Sequence, residues 1–227
     1  MSATDIAPDR VTRARYAIAD LLNAAHGARV ALVAFAGESH TVTPITTDVA
    51  TVRALLQPLA PGIMPESGDQ LAPALDEAAR LLKAGGVAHG QVIVLTDGFA
   101  DPAQALPAAQ RLSQQGASVN VIGIGTASGA PLHDEQGAFV RDTSGRNVLT
   151  RLDPDLLQRV ATAGNGSYVA LTNTFQLIAK LQAEPTSLFN EPAAQQNTQV
   201  ATWLNDGFWL LPFLLLFAAL IARRGWL

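Results

Sequence analysis

Thr96, Asp97 and Gly98 follow directly on the apolar run Gln91 to Leu95, and they are the residues of this chain best suited to chemistry. A carboxylate leaving a buried strand ahead of a glycine turn can hold a hard cation or its water shell, because such ions take oxygen ligands. The same aspartate could instead cap the next turn, and the spacing leaves both roles open. An acid after an apolar strand also holds magnesium in P-loop ATPases, but the chain has no GxxxxGKS or GxxxxGKT to cradle phosphate. Gly123, Gly125 and Gly129 have the wrong spacing for a dinucleotide fingerprint, and a hairpin pattern rather than a helix follows them. Ser67 reads as a helix cap, not a nucleophile, since no GxSxG surrounds it. His26, His40, His89 and His133 stand singly without metal-ligand spacing, and Asp134 with Glu135 reads as a solvated turn.

Composition narrows the chemistry further. The absence of cysteine removes thiol nucleophiles, disulfides and thiolate metal sites together. A net charge of -4 with no basic run leaves no electrostatic footprint for nucleic acid. At 227 residues the chain has room for one domain and an appendage. Its 48% hydrophobic and 15% charged residues and mean hydropathy of +0.20 exclude general disorder and place something greasier than a soluble domain in the chain.

The elements that must position Asp97 alternate between strand and helix. Pro8 opens a helix with Val11, Ala14, Ile18, Leu21, Leu22 and Ala25 on its apolar face, closed by Gly27. Arg29 to Ala36 reads as a buried strand, His40 to Ile45 as an edge strand that tolerates Pro44, and Asp48 to Leu59 as a helix. Ser67 and Gln70 form a capping box for a helix carrying Leu71, Leu75, Ala78 and Leu82. Gln91 to Leu95 and Ser118 to Gly125 are two more buried strands around a helix at Ala103 to Gln115. A hairpin over Ala138 to Leu152 turns at Thr143 to Gly145; a helix capped by Asp153, a strand at Ser167 to Leu171 and a helix at Thr174 to Leu181 complete the series. Apolar strands separated by helices predict a mostly parallel sheet with helices on both faces.

The excess greasiness lies at the far end. Gly207 to Ala222 carries no charged residue, Trp203, Trp209 and Trp226 bracket it, and Arg223 with Arg224 stops it. Counted from Trp203, a helix at 1.5 Å per residue spans about 30 Å, the thickness of a bilayer core. The expected organisation is a domain over 1–182, a polar linker over 183–202, a transmembrane helix over 203–222 and a tail over 223–227. The terminal arginines place that tail in the cytoplasm and the domain outside, yet Met1 to Val11 has no apolar export segment.

SATDIAPDR, RVALVAFAG, TPITTD, LTDG, VIGIGT, the RDTSGRNVLTRLD hairpin and the terminal RRGWL, in that order, resemble the von Willebrand factor A domain of the Bat family of bacterial membrane proteins. The resemblance covers nearly the whole chain. It implies a Rossmann-like sheet with a metal-ion-dependent adhesion site that takes Mg²⁺, in a protein of the cytoplasmic membrane. It also implies partners: other membrane-associated A-domain proteins and a MoxR-type AAA+ ATPase, in stress tolerance or protein assembly. Asp97 matches a metal-site acid of the family, and Asp69 stands where the family has a threonine. The family's DxSxSM strand comes just before the segment matching SATDIAPDR, so the resemblance implies that the full-length form carries this central strand upstream of Met1. Without it the strands flanking the gap are expected to keep unpaired ladder groups, each costing about 1–3 kcal/mol when buried.

Three functions follow as expectations. The first is a membrane-anchored, non-enzymatic domain that binds partner proteins, with Mg²⁺ bridging to a partner's acid in the intact family. The second is a metal-dependent hydrolase or phosphoryl-transfer enzyme using Asp97, which lacks a phosphate cradle, a paired base and a nucleophile. The third is a scaffold that works without metal.

Overall fold

Asp9 opens α1 (Arg10–Ala24) by accepting a hydrogen bond from the Thr12 amide at 2.7 Å, which satisfies one of the free N–H groups of the first turn. In the computed structural model, which describes residues 1, 3, 5–25, 27–132, 138–141, 144–183 and 219, the buried face of α1 is Ala14, Ala17, Leu21 and Leu22, with Arg10 at its head. The expected stripe included Ala14, Leu21 and Leu22; the fully buried arginine was not part of it. β1 (Val30–Phe35) turns back into β2 (Ser39–Thr46) as an antiparallel pair with two register shifts. α2 (Val49–Leu56) is capped by Asp48, whose carboxylate accepts from the Thr51 amide at 3.0 Å.

α3 (Leu71–Ala84), β3 (Gln91–Thr96), α4 (Pro102–Gln114) and β4 (Ser118–Gly123) then alternate as expected, followed by β5 (Ala130–Pro131), β6 (Leu149–Thr150), α5 (Pro154–Ala163), β7 (Tyr168–Ala170) and α6 (Thr174–Ala183). β3, β4 and β7 form a parallel sheet in that order, and β5 pairs antiparallel with β6. The hairpin continues through a bridge between Arg141 and Asn147, which brackets the expected turn. Asp153 caps α5 through the Leu156 amide at 3.0 Å, also as expected.

Alternation along β4 fixes the two faces. Val119 and Val121 pack with Leu75, Ala109, Leu112, Leu157 and Val160 under α3, α4 and α5. Ile122 faces the other way, onto Leu21 of α1 and Leu177 and Leu181 of α6. This is the parallel sheet with helices on both faces that the pattern predicted.

The sheet is split. Among the described residues β1 is hydrogen-bonded to β2 and not to β3. Both strands nevertheless run the same way along α3. At the head of α3, the Gln70 amide donates to the Ala36 carbonyl at 2.7 Å and the Ala100 amide to the Asp69 carbonyl at 3.1 Å, so the carboxyl ends of β1 and β3 meet there. At its tail, Arg29 donates to the Gly85 carbonyl at 3.0 Å, and Gly90 lies against Leu82, so both strands also start together. α1 spans the two halves from the other side, with Leu21 on the β3–β4–β7 half and Leu22 against Val52 and Leu56 beside β1. The two parts of the sheet run the same way along α3, and among the described residues the edges of β1 and β3 that face each other are unpaired.

Two expectations need correction. The Ser67–Gln70 capping box does not form: Ser67 is exposed, Gln70 makes no side-chain cap, and Asp101 caps α3 instead, accepting from the Leu71 and Ala72 amides at 2.9 Å each. The strand at β1 is not buried: five of its residues are half-buried and Ala31 is exposed, because it is paired on one side only. The chain divides into two units, Met1–Ala193 and Ala194–Leu227. The linker, span and tail expected over 183–227 lie, apart from Ala183 and Ala219, outside the described residues. Among the described residues no helix is long and apolar enough to cross a membrane.

Candidate functional site

Asp97 leaves β3 at the carboxyl end of the sheet, and its neighbour, not Asp97 itself, makes the turn. The Thr96 hydroxyl donates to the Gly98 carbonyl at 2.6 Å and accepts from the Gly98 amide at 3.1 Å. Of the two roles open from sequence, capping this turn is therefore taken by Thr96, and the Asp97 carboxylate is available to a cation. Two cations meet it. Oδ2 accepts from Arg10 Nη1 at 2.9 Å and from the α-ammonium of Met1.

Arg10 organises this end of the molecule. Its side chain is 0% exposed. Nε and Nη2 donate to Asp5 Oδ1 and Oδ2 at 2.7 and 2.9 Å, a bidentate pair of the strong, geometrically selective kind. Nη2 also donates to the Thr150 carbonyl at 3.1 Å, and Asp5 Oδ2 accepts from the amide and hydroxyl of Thr126 at 2.8 and 2.7 Å. The guanidinium lies over Gly125, where a Cβ would come within 3.0 Å of Nη2 on a backbone of φ +140°. Hydrogen bonds from Arg10, then from Thr126, hold the Asp5 carboxyl well below the usual carboxylate range despite its burial. Burial alone would lower the Arg10 pKa, but the bonds to Asp5 and Asp97 outweigh it and raise it.

Asp69 sits on the loop before α3. Gly68 lets that loop close on β1: a Cβ there would stand 2.7 Å from Gly37 Cα, on a backbone of φ +154°. Although the residue is largely exposed, its carboxyl is pushed up, first by partial desolvation and then by the charges of Asp97 and Asp101. The fold thus brings Asp69 and Asp97 to one end of the sheet. Asp101 joins them but is committed to the α3 N-terminus. His40 and His89 are exposed, while His26, His133, Asp134 and Glu135 lie outside the described residues.

Sequence reasoning missed Asp5, Arg10, Asp101 and Thr126. A signal for Arg10 was present: it falls in register with Ala14, Ala17 and Leu21, and a charge on an apolar stripe needs a buried partner. Asp101 carried no such signal, because its partners lie on another helix.

The donor set does not fit a magnesium ion, which prefers near-octahedral oxygen coordination. Among the described residues no group of three or more His, Asp or Glu converges to hold a metal, and Asp97 Oδ2 is bonded to the Arg10 guanidinium.

A parallel sheet clad by helices on both faces is the architecture of the doubly wound α/β class, and within it the family model described as "von Willebrand factor type A domain" matches residues 1–99. The chain belongs to this family, in the branch of the aerotolerance-related membrane proteins. An aerotolerance-related membrane protein from Bacteroides fragilis NCTC 9343 is 30% identical with a TM-score of 0.73, over 79% of this chain and 90% of that one. The conserved hypothetical protein BatB from Bacteroides thetaiotaomicron is 29% identical with a TM-score of 0.70, over 79% and 93%. A UPF0353 protein of Mycolicibacterium gilvum (strain PYR-GCK) is 26% identical over 189 residues, and the chain spans 55% of its length.

Proposed function

We propose that this chain is the partner-binding module of a membrane-associated assembly, that it works without catalysis, and that its binding surface is the carboxyl end of the sheet around Asp69 and Asp97. The observation that carries this reading is the convergence there of five segments: the N-terminal stretch, the head of α1, the loop before α3, the loop after β3 and the hairpin base at Thr126 and Thr150. Loops held by a rigid scaffold are where such domains place recognition residues. Kinship with the Bacteroides fragilis membrane protein supports a membrane setting, and the span expected over 203–222 would supply the anchor. The partners that the resemblance implies are other A-domain membrane proteins and a MoxR-type ATPase. In a full-length form bearing the DxSxS strand, a metal site completed by that strand would add Mg²⁺ to this surface.

The enzymatic alternative has less support. A groove of about 340 Å³ lies at the opposite end of the strands, lined by Ala79, Leu82, Val87 and Ala117 with Lys83 and Gln115, and offers no paired nucleophile and base. The test is binding of the full chain, in detergent, to the purified MoxR-type ATPase of the same cell. Asp69→Lys should reduce affinity at least tenfold while Lys83→Glu at the far groove leaves it unchanged. Equal losses in both variants, or hydrolysis of phosphoesters by the wild-type chain, would reject the reading.

A further inference from the structure

Arg10 is a buried guanidinium placed against two carboxylates of different origin. Asp5 is fixed by Thr126 and by the bidentate pair, while Asp97 arrives from the end of β3, and the same side chain also holds the Thr150 carbonyl. A buried charge persists only where it is paired and hydrogen-bonded. Here the pairing is mutual: without the guanidinium, Asp5 at 7% side-chain exposure and Asp97 at 17% would face each other across the space it fills. Gly125 leaves room for it, since a Cβ there would crowd the guanidinium from 3.0 Å.

We propose that Arg10 is the resident cation of the Asp97 site. It takes up the charge through which Asp97 would otherwise call for a divalent ion, so that this chain holds the carboxyl end of its sheet in shape with no added metal. Among the described residues the charge of Asp97 is then met by the chain's own guanidinium. The inference refines the proposed binding surface by making its architecture independent of divalent cations, but it needs no partner to be tested.

Thermal unfolding of the full chain in detergent is read in EDTA and in 5 mM Mg²⁺ or Mn²⁺. The wild-type midpoint should move by less than about 1 °C between these conditions. Arg10→Met, which leaves two facing carboxylates, should unfold at least 10 °C lower in EDTA and recover half or more of that loss when Mn²⁺ is added. Asp5→Asn combined with Arg10→Met should shrink both the loss and the recovery, because one of the facing charges is gone. If Arg10→Met does not fold, wild type and Asp97→Asn decide the matter, since Arg10 remains paired with Asp5 in the latter. A wild-type midpoint that rises by 3 °C or more with Mg²⁺ or Mn²⁺, and no longer does so in Asp97→Asn, would overturn the proposal. So would a folded Arg10→Met indifferent to added ions. These readouts use no partner, so their failure leaves the binding reading standing, and loss of ATPase binding leaves them untouched.

Discussion

β1 is more apolar than β4, yet β4 is the strand that ends up buried. VALVAF in β1 and SVNVIG in β4 both read as buried strands, yet positions 119–123 of β4 are buried whereas no residue of β1 is. The difference is in their neighbours. β4 is hydrogen-bonded to β3 on one side and β7 on the other, with helices above and below. β1 has β2 on one side only, and among the described residues its other edge, on the side of β3, is unpaired. An apolar sequence sets what a strand would gain from burial, about 1.5–3 kcal/mol for each fully covered Val, Leu or Ile. Its flanking strands decide how much of that gain is realised.

The largest expected effect tests this contrast directly. Ile122→Ala in β4 should cost about 2–5 kcal/mol in equilibrium urea unfolding, while Leu32→Ala in β1 should cost less than half as much, since less surface leaves water at a half-buried site. Equal costs would mean that β1 is as well covered as β4 and that the gap is closed in solution. Adding an upstream apolar strand that fills the gap should raise the cost of Leu32→Ala toward that of Ile122→Ala.

α3 joins the two halves, and Asp101 is what secures its first turn. Asp101→Ala should destabilise by about 1–2 kcal/mol through the loss of both amide bonds, whereas Ser67→Ala should change stability by less than about 0.5 kcal/mol. A larger loss at Ser67 would restore the capping box in place of Asp101.

Acid should act next, with opposite sign at different carboxylates. Asp5, held low by Arg10 and Thr126, and Glu77, held at about 2 by Arg80 and Thr41, bind protons less readily folded than unfolded. Their contribution is complete above the unfolded value of 4.5 for Glu and is lost as the pH falls below it toward 2, so stability should drop over that window. Asp5→Asn should flatten the drop. Asp69 has the opposite sign: its pKa is raised, so its charge opposes folding once the pH exceeds its folded value, and Asp69→Asn should increase stability at pH 7.

The smallest effect is one of rates. The Gly90 and Thr96 carbonyls accept from Ser118 and Ile124, so even-numbered groups of β3 face β4 and the amides of Ile93 and Leu95 face the gap. Amide exchange at Ile93 and Leu95 should be at least tenfold faster than at Val121 and Ile122. Equal protection would indicate that something already pairs with that edge.

The order and type of the elements were legible in the sequence, because period and capping are local properties. A helix declares itself through residues three and four apart and a strand through alternation, so α1, β3, α4, β4 and the Asp153 cap could be read without their partners. Asp97 was legible for the same reason, as an acid that ends an apolar strand ahead of glycine. Arg10, Asp5 and Asp101 were not legible as a site, because each acquires its role from residues far along the chain: Asp97 is 87 positions from Arg10, Thr126 is 121 from Asp5, and Leu71 is 30 from Asp101. The sequence by itself determined which segments would be strands and helices and where a carboxylate would emerge, since those outcomes depend on near neighbours. Only the tertiary structure decided that β4 would be buried and β1 would not, and that a guanidinium would stand beside Asp97. Burial and charge pairing depend on what packs against a residue, and that is settled when distant parts of the chain meet.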